Sequence, residues 1–256
     1  MKVPDMTDFS YQLYSSRNFA PVADTLSMLA RLGYTQVEGF DGILSDRAQM
    51  EGLATGLRAN HLTMPSAHFG LDILRDTPDR VLEIAGILGI KAVFAPYLVA
   101  ELRPDDAAGW AAFGREVAEL GKPVWDAGLQ FGWHNHDFEL ADLGGVDRPL
   151  DLILQGDDRM ALELDIAWVQ VGGQDPFDWI ARYVDRLVAA HIKDIAPVGQ
   201  AVDEDGWADV GYGVMDWQGL IVDLRRTRVQ YLVMEHDNPN DHERFARRSI
   251  DAARKY

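Results

Sequence analysis

Four short runs in this chain place metal-type donors at the ends of apolar stretches. They are Phe131–Glu139 (FGWHNHDFE), Ala161–Asp165 (ALELD), Leu187–Asp194 (LVAAHIKD) and Tyr231–His236 (YLVMEH). Imidazoles and carboxylates suit manganese, magnesium, cobalt or iron, and also allow zinc. With no cysteine in the chain, disulfides, thiolate metal sites and cysteine nucleophiles are all excluded. A bare carboxylate inside an apolar strand is costly. Glu163 and Glu235 therefore need a bound cation or an internal salt bridge. Residues two apart on a strand face the same way. His134 and His136 can thus look into one space, as can Glu163 and Asp165, one member ligating and the other orienting. Asp165, His191 and Glu235, joined by His134 or His136, form an N/O donor set carrying roughly two negative charges, which a divalent cation would offset.

Such groups meet only if the fold gathers strand ends. Short apolar strands alternate with helical stretches along the whole chain. Strands are expected at Ser10–Tyr14, Thr35–Glu38, Leu62–His68 and Lys91–Ala95, and the four donor runs supply four more. Pro65 makes the third strand awkward for a sheet centre. Helices are expected over Pro21–Leu32, Ser45–Asn60, Pro78–Leu88 and Ala107–Leu129, with Gly33 and Gly89 as stops and Pro123 interrupting or bending the last. Shorter helical connectors cover Leu150–Ile153, Pro176–Tyr183 and Trp217–Arg225, and Asp241–Lys255 closes the chain. Eight strand–helix units in about 250 residues is the size of an α/β (β/α)8 TIM barrel, whose active sites lie at the C-terminal strand ends. An open doubly wound sheet is the competitor. It would need fewer units and usually an early glycine fingerprint, which Gly33 and Gly39 do not form. No linker tract divides the chain, so residues 1–256 read as one domain. Gly199–Gly213 reads as a long loop, either lying over the active face or simply acidic and solvated.

The chain has 256 residues, 47% of them apolar, enough for a substantial core. Its formal charge is -17, which argues against nucleic acid as a partner. The first eight residues hold no apolar signal core, and no run is long enough for a membrane span. A soluble cytoplasmic protein is the default expectation.

The arrangement resembles the sugar isomerase/epimerase superfamily of xylose-isomerase-like barrels, which also contains endonuclease-IV-type enzymes. The likeness runs over most of the chain. It is strongest in HNHDFE (His134–Glu139), HIKD (His191–Asp194), VGYGVMD (Val210–Asp216) and VMEHDN (Val233–Asn238). The resemblance implies one divalent metal, manganese above all, with four protein ligands at successive strand ends. Asp165, His191 and Glu235 match three of them, and His134, favoured over His136, stands where the epimerases carry a glutamate. That glutamate is one of their two bases on opposite substrate faces, so a simple two-base epimerase is not preserved. Trp168 stands where a family histidine is common. It can stack on a sugar but cannot move a proton. The endonuclease branch uses a histidine-rich three-metal cluster and a DNA-binding surface, against which seven histidines and the acidic charge both argue.

The chemistry expected is proton abstraction beside the carbonyl of a keto-sugar or related polyol, through an enediolate that a Lewis-acid metal stabilises. Glu235 or Glu163 would take the proton. His136, Glu139 and Lys193 are candidates to relay protons or fix substrate oxygens, and Glu38 and His68 to line the far side of the pocket. Trp168 and Lys193 would help hold substrate. Returning the proton elsewhere gives isomerisation or epimerisation. Losing a β-oxygen group gives dehydration or cleavage of an inosose or 3-keto-glycoside. A carbohydrate-binding barrel without catalysis is the other class. Phe69, Trp133, Trp168, Trp207 and Tyr212 are aromatic candidates for sugar stacking. The lack of a basic cluster in the strand-end set beyond Lys193 disfavours a phosphorylated substrate. A homodimer is the assembly the resemblance suggests.

Overall fold

The structure, a computed structural model, describes residues 8–44 and 46–256. Eight parallel strands form one sheet: β1 (Phe9–Tyr11), β2 (Gln36–Phe40), β3 (Thr63–His68), β4 (Ala92–Ala95), β5 (Gln130–His134), β6 (Ala161–Asp165), β7 (Leu187–Ile192) and, last in the chain, β10 (Tyr231–Met234). Their order is β1-β10-β7-β6-β5-β4-β3-β2. A parallel bridge between Gln12 and Glu38 brings the first and last edges together and nearly closes the barrel. The remaining two strands, β8 (Asp194–Ile195) and β9 (Trp207–Ala208), make an antiparallel hairpin within the segment after β7.

The helices the periodicity predicts form close to their expected intervals, joined by three short helices outside them, Asp41–Leu44, Leu71–Asp76 and Ile166–Val171, and they wrap the sheet with their apolar faces inward. The helix Val22–Leu32 ends at Gly33, whose φ of 87° is the left-handed conformation that closes a helix through its backbone N–H. Asp46 caps Arg47–Ala59 by accepting from Gln49 N. Ser45, where that helix was expected to begin, lies outside the described residues, as do Met1–Thr7.

Three expectations shift. The first strand stops at Tyr11, and Leu13–Ser16 turns into a 3-10 helix, because the side chain of Gln12 caps that turn by accepting from Tyr14 N. Pro65 sits inside β3, where a register shift against β2 between Gln36 and Glu38 absorbs the missing N–H, and Pro65 O accepts from Lys91 N. Pro123 does not interrupt its helix. Ala107–Asp126 is continuous, and Pro123 falls in the closing turn. Among the described residues, no helix is long and apolar enough to cross a membrane.

Within the barrel strands, outward residues such as Trp133, Leu162 and Leu164 pack against the helices. Inward positions near the C-terminal ends carry polar groups instead. Glu38, His134, Glu163, Asp165 and His191 are all buried there. Eight strands leave an interior that side chains fill, so this polar layer sits directly on the packed core.

Candidate metal centre and reaction cavity

His134, Asp165, His191 and Glu235 converge at the C-terminal mouth. Each offers one donor atom, and all four atoms lie within 4.8 Å of one another. They come from the ends of β5, β6 and β7 and from the residue after β10. Local sequence sets each one. Asp165 is both the last residue of β6 and the cap of the next helix, its Oδ1 accepting from Trp168 N at 2.9 Å. That leaves Oδ2 buried with no hydrogen-bond partner. Asn135 holds the same strand end from the side, accepting from Asp165 N at 2.9 Å. His134 Nδ1 is likewise without a partner. It lies 3.1 Å from Glu163 Oε2 but out of hydrogen-bonding geometry. Buried polar atoms left unpaired are rare. Two such atoms inside one group of N/O donors fit a divalent cation.

Electrostatics support the same reading. Burial drives the pKa of His134 well below its ordinary value, with His191 and His68 adding to the effect, so the imidazole is neutral. Burial pushes Asp165 up to about 6, against the pull of Lys193 and His191. For Glu235, burial opposes ionisation, but Lys193 and His191 outweigh it and hold the carboxyl well below the usual range. His191 moves the other way. Burial opposes its protonation, but Glu235 and Glu163 raise its pKa well above the ordinary value.

The group opens onto a cavity of about 440 Å³ lined in part by His68, His134, His136 and Glu235. Its rim includes Arg17, Asp41 and Tyr97, none of which stood out in the sequence. His136 is neutral too, lowered to about 3 by burial and by Lys193. Its ring stands edge-on to Tyr97 at 5.2 Å between centroids.

Of the expected catalytic residues, Glu235 and His136 line this cavity, whereas Glu163 and Glu139 do not. Glu163 is fully buried, its Oε2 2.5 Å from His68 Nε2. Glu139 is turned toward the outer wall of β5. There it accepts from Trp133 Nε1 and from His136 N, both at 2.8 Å, and burial raises it to about 8. Among the expected substrate contacts, His68 lines the cavity, but Glu38 and Lys193 are fully buried beneath it. Glu38 accepts from Gln12 Nε2 and pairs with His191 Nε2. Lys193 Nζ lies 2.6 Å from Asp237 Oδ1, 3.3 Å from Glu235 Oε2 and 3.5 Å from Asp165 Oδ2. The rings of Trp207 and Trp168 cover it at 4.3 and 5.0 Å. Trp168 and Trp207 line a separate cavity of about 500 Å³. Phe69 and Trp133 belong to the core, and Tyr212 is exposed beside Arg248.

The segment after β7 is built around Asp194, which accepts from the backbone N–H of Ile195, Gly211, Gly213 and Met215. Two of its acidic residues turn inward, where Arg244 pairs with Glu204 and Asp209. It is thus an ordered loop, solvated along part of its length, where Val202, Asp203 and Asp205 are exposed.

The model of the xylose isomerase-like TIM barrel family matches residues 26–256. The chain belongs to that family. Its fold recurs in solved structures. One is a sugar phosphate isomerase/epimerase from Parabacteroides distasonis, at 18% identity and TM-score 0.78, covering 95% of this chain and 92% of that one. A xylose isomerase-like barrel from Mycobacterium smegmatis, in complex with magnesium, aligns at 16% identity and TM-score 0.71 over 97% and 95%. A D-psicose 3-epimerase, in the presence of D-fructose, aligns at 13% and 0.68 over 96% of both chains. No curated protein matches the sequence. In a xylose isomerase-like barrel, this His/Asp/His/Glu group is a divalent-metal site consistent with isomerase/epimerase chemistry.

Proposed function

We propose that this barrel is a metal-dependent isomerase or epimerase of a keto-sugar or related polyol, working by proton abstraction beside the carbonyl. The observation that carries the reading is the convergence of four donors, two with orphaned atoms, at the edge of a cavity that also presents Glu235 and neutral His136. His134, Asp165, His191 and Glu235 would hold the ion, with manganese preferred. When bound, it supplies Lewis-acid polarisation of the carbonyl and charge for the enediolate. Glu235, kept ionised by Lys193 and His191, takes the proton from carbon. His136 stands three strands around the barrel from Glu235 and, held neutral, donates its N–H as a hydrogen bond to a substrate oxygen on that side, while the protonated Glu235 gives its proton back to the enediolate. His68 and Tyr97 border the same space and orient hydroxyls. Glu163, Glu139, Glu38 and Lys193 act by holding these groups in place.

One feature favours a second reading, elimination. The β5 end presents His134, not a carboxylate, across the mouth from Glu235. With His134 on the ion and neutral His136 hydrogen-bonding the departing β-oxygen, the proton that Glu235 takes from carbon can pass to that oxygen, as in a dehydratase or glycoside lyase.

Metal content of the purified protein tests the site, with Asp165→Ala as the control. One tightly held ion per chain, absent from the variant, is expected. Glu235→Gln, assayed with saturating manganese for deuterium exchange at the carbon beside the carbonyl, tests the base. Exchange should fall about 10²–10⁴-fold. Undiminished exchange in a metal-loaded variant would remove Glu235 from that role. Tight sugar binding without exchange in the wild type would mark a binding protein.

A further inference from the structure

Arg17 brings a guanidinium to the mouth of the reaction cavity, directly after the 3-10 turn Leu13–Ser16. The other charges lining that cavity are answered from within the protein. Glu235 meets His191 and Lys193, and Asp237 meets Lys193 at 2.6 Å. Asp41 accepts from Gly70 N at 3.1 Å, and His68 pairs with Glu163 and Glu38. Arg17 differs. Among the described residues its polar contacts are two backbone carbonyls, Tyr14 O at 3.1 Å and Asp237 O, and both bonds come from Nη1. A guanidinium carries its N–H donors in a rigid fork. Nε and Nη2 therefore keep theirs, on the edge that meets a carboxylate through two parallel hydrogen bonds.

That edge is open and held in place. Arg17 is exposed. Its guanidinium carbon lies 4.0 Å from the centroid of the Tyr14 ring, and that ring stands edge-on to Phe40 at 5.3 Å. The bond to Asp237 O ties it to the segment just after Glu235, so the cation is fixed with respect to the proposed base. A group fixed before binding loses less freedom on binding.

We infer that Arg17 anchors a carboxylate at the end of the substrate away from the reacting carbonyl, the substrate being a keto-sugar acid rather than a neutral keto-sugar. The inference rests on the keto-sugar reading above and adds the substrate class. In a chain of net charge -17 an anionic substrate needs a local cation, and Arg17 supplies it. A carboxylate fits better than a phosphate. One planar edge matches a planar, singly charged group. A phosphate monoester carries more charge, and among the described residues that line the cavity Arg17 is the one arginine or lysine. A loop tie alone would use Nη1 and confer no preference for an anion.

The test uses the manganese-loaded protein with the D-2-ketohexoses, their C6 carboxylates and their C6 phosphates. Calorimetry reads affinity, and deuterium exchange beside the carbonyl reads turnover. In the configuration that binds, the carboxylate should bind at least about tenfold more tightly than the neutral sugar, the scale of a hydrogen bond to a charged group. Arg17→Gln should bring that ratio near one. Arg17→Lys should keep part of it, because lysine restores the charge but not the fork. The loss should fall on KM rather than kcat, as for a contact made equally in ground and transition states. Manganese content at the wild-type level shows that each variant keeps the metal site, and the wild-type ratio decides even where a variant does not fold. A wild-type ratio near one, no binding of any carboxylate, a preference that Arg17→Gln leaves intact, or tighter binding of the phosphate than of the carboxylate overturns the anchor. Exchange on the neutral sugars with no carboxylate preference leaves the keto-sugar reading standing and removes only the anchor. A carboxylate preference abolished by Arg17→Gln, without exchange on any compound, does the reverse.

Discussion

His191 Nε2 stands 2.8 Å from Glu38 Oε1, across the barrel interior from β7 to β2. With that nitrogen donating to Glu38, the other, Nδ1, hydrogen-bonds Glu235 at 2.8 Å and is the one that would ligate once its proton is lost. A carboxylate behind a metal-binding histidine fixes its tautomer and raises its basicity. Glu38 is itself fixed by Gln12 Nε2 at 2.9 Å, at the bridge where the barrel closes.

Glu38→Gln should therefore weaken metal binding without altering any donor. The expected loss is about 10–100-fold in affinity, read by competition with a fluorescent chelator. Unchanged affinity would show that Glu38 only fills space.

Metal affinity should rise with pH. Ligation needs His191 neutral and Asp165 ionised, whereas in the metal-free protein His191 is raised well above its ordinary value and Asp165 is raised to about 6. His134 is already neutral and contributes no proton. Binding must then expel protons, so affinity falls below about pH 6 and keeps climbing above it. Calorimetry in two buffers of different ionisation enthalpy should register net proton release. A flat affinity from about pH 5 to 8, with no release, would contradict the charge states assigned to these two groups.

Lys193 answers for three carboxylates at once. It is fully buried beside Asp165, Glu235 and Asp237. Lys193→Met keeps the apolar stem against Trp168 and Trp207 but strands those charges. Breaking a buried ion pair from one side costs about 3–5 kcal/mol. Urea unfolding in the presence of chelator should show a loss of that size. Saturating manganese should shrink it, because the cation takes over the compensation of Asp165 and Glu235. An equal loss with and without metal would mean that ion and ammonium do not share those carboxylates.

The donor group was legible because strand ends announce themselves. ALELD and YLVMEH are apolar runs that break into charge where a barrel opens, and Asp165, His191 and Glu235 fall there. Depth within the barrel was not legible. Period-two alternation says that Glu163 and Asp165 share a face, but not that Glu163 sits one layer lower, under His68. Glu38 and Lys193 were missed as supports for the same reason. Glu139 lies beyond the strand, where alternation no longer applies, and the 3-10 turn Phe138–Leu140 carries it outward to Trp133. Arg17 and Tyr97 sit on loops and Asp41 opens the short helix Asp41–Leu44, none of them in a periodic run, and only the folded chain brings them to one rim. In VGYGVMD, which carried only the resemblance, Gly213 packs against Asp194, while Gly211 takes a φ of 82° beside Ala252 and Tyr256.

Gly213 is where the loop wraps Asp194 most tightly. A Cβ there would lie 2.1 Å from Asp194 Oδ1 and 2.3 Å from Ile195 O, too close for any real contact and, at the carbonyl, against backbone. Gly213→Ala must therefore push the loop off Asp194 and strain its hydrogen bonds from Gly211, Gly213 and Met215. Overpacking of this kind costs about 1–3 kcal/mol. The hairpin of β8 and β9 begins at Asp194 and carries Trp207 over Lys193, so the indole should move as well. Urea unfolding and tryptophan fluorescence read the two effects. Gly52→Ala is the control, since nothing lies within 4 Å of a Cβ at that helical position. Alanine there should be stabilising by up to about 1 kcal/mol. A Gly213→Ala protein as stable as the wild type, with unshifted fluorescence, would mean that Asp194 does not organise the loop.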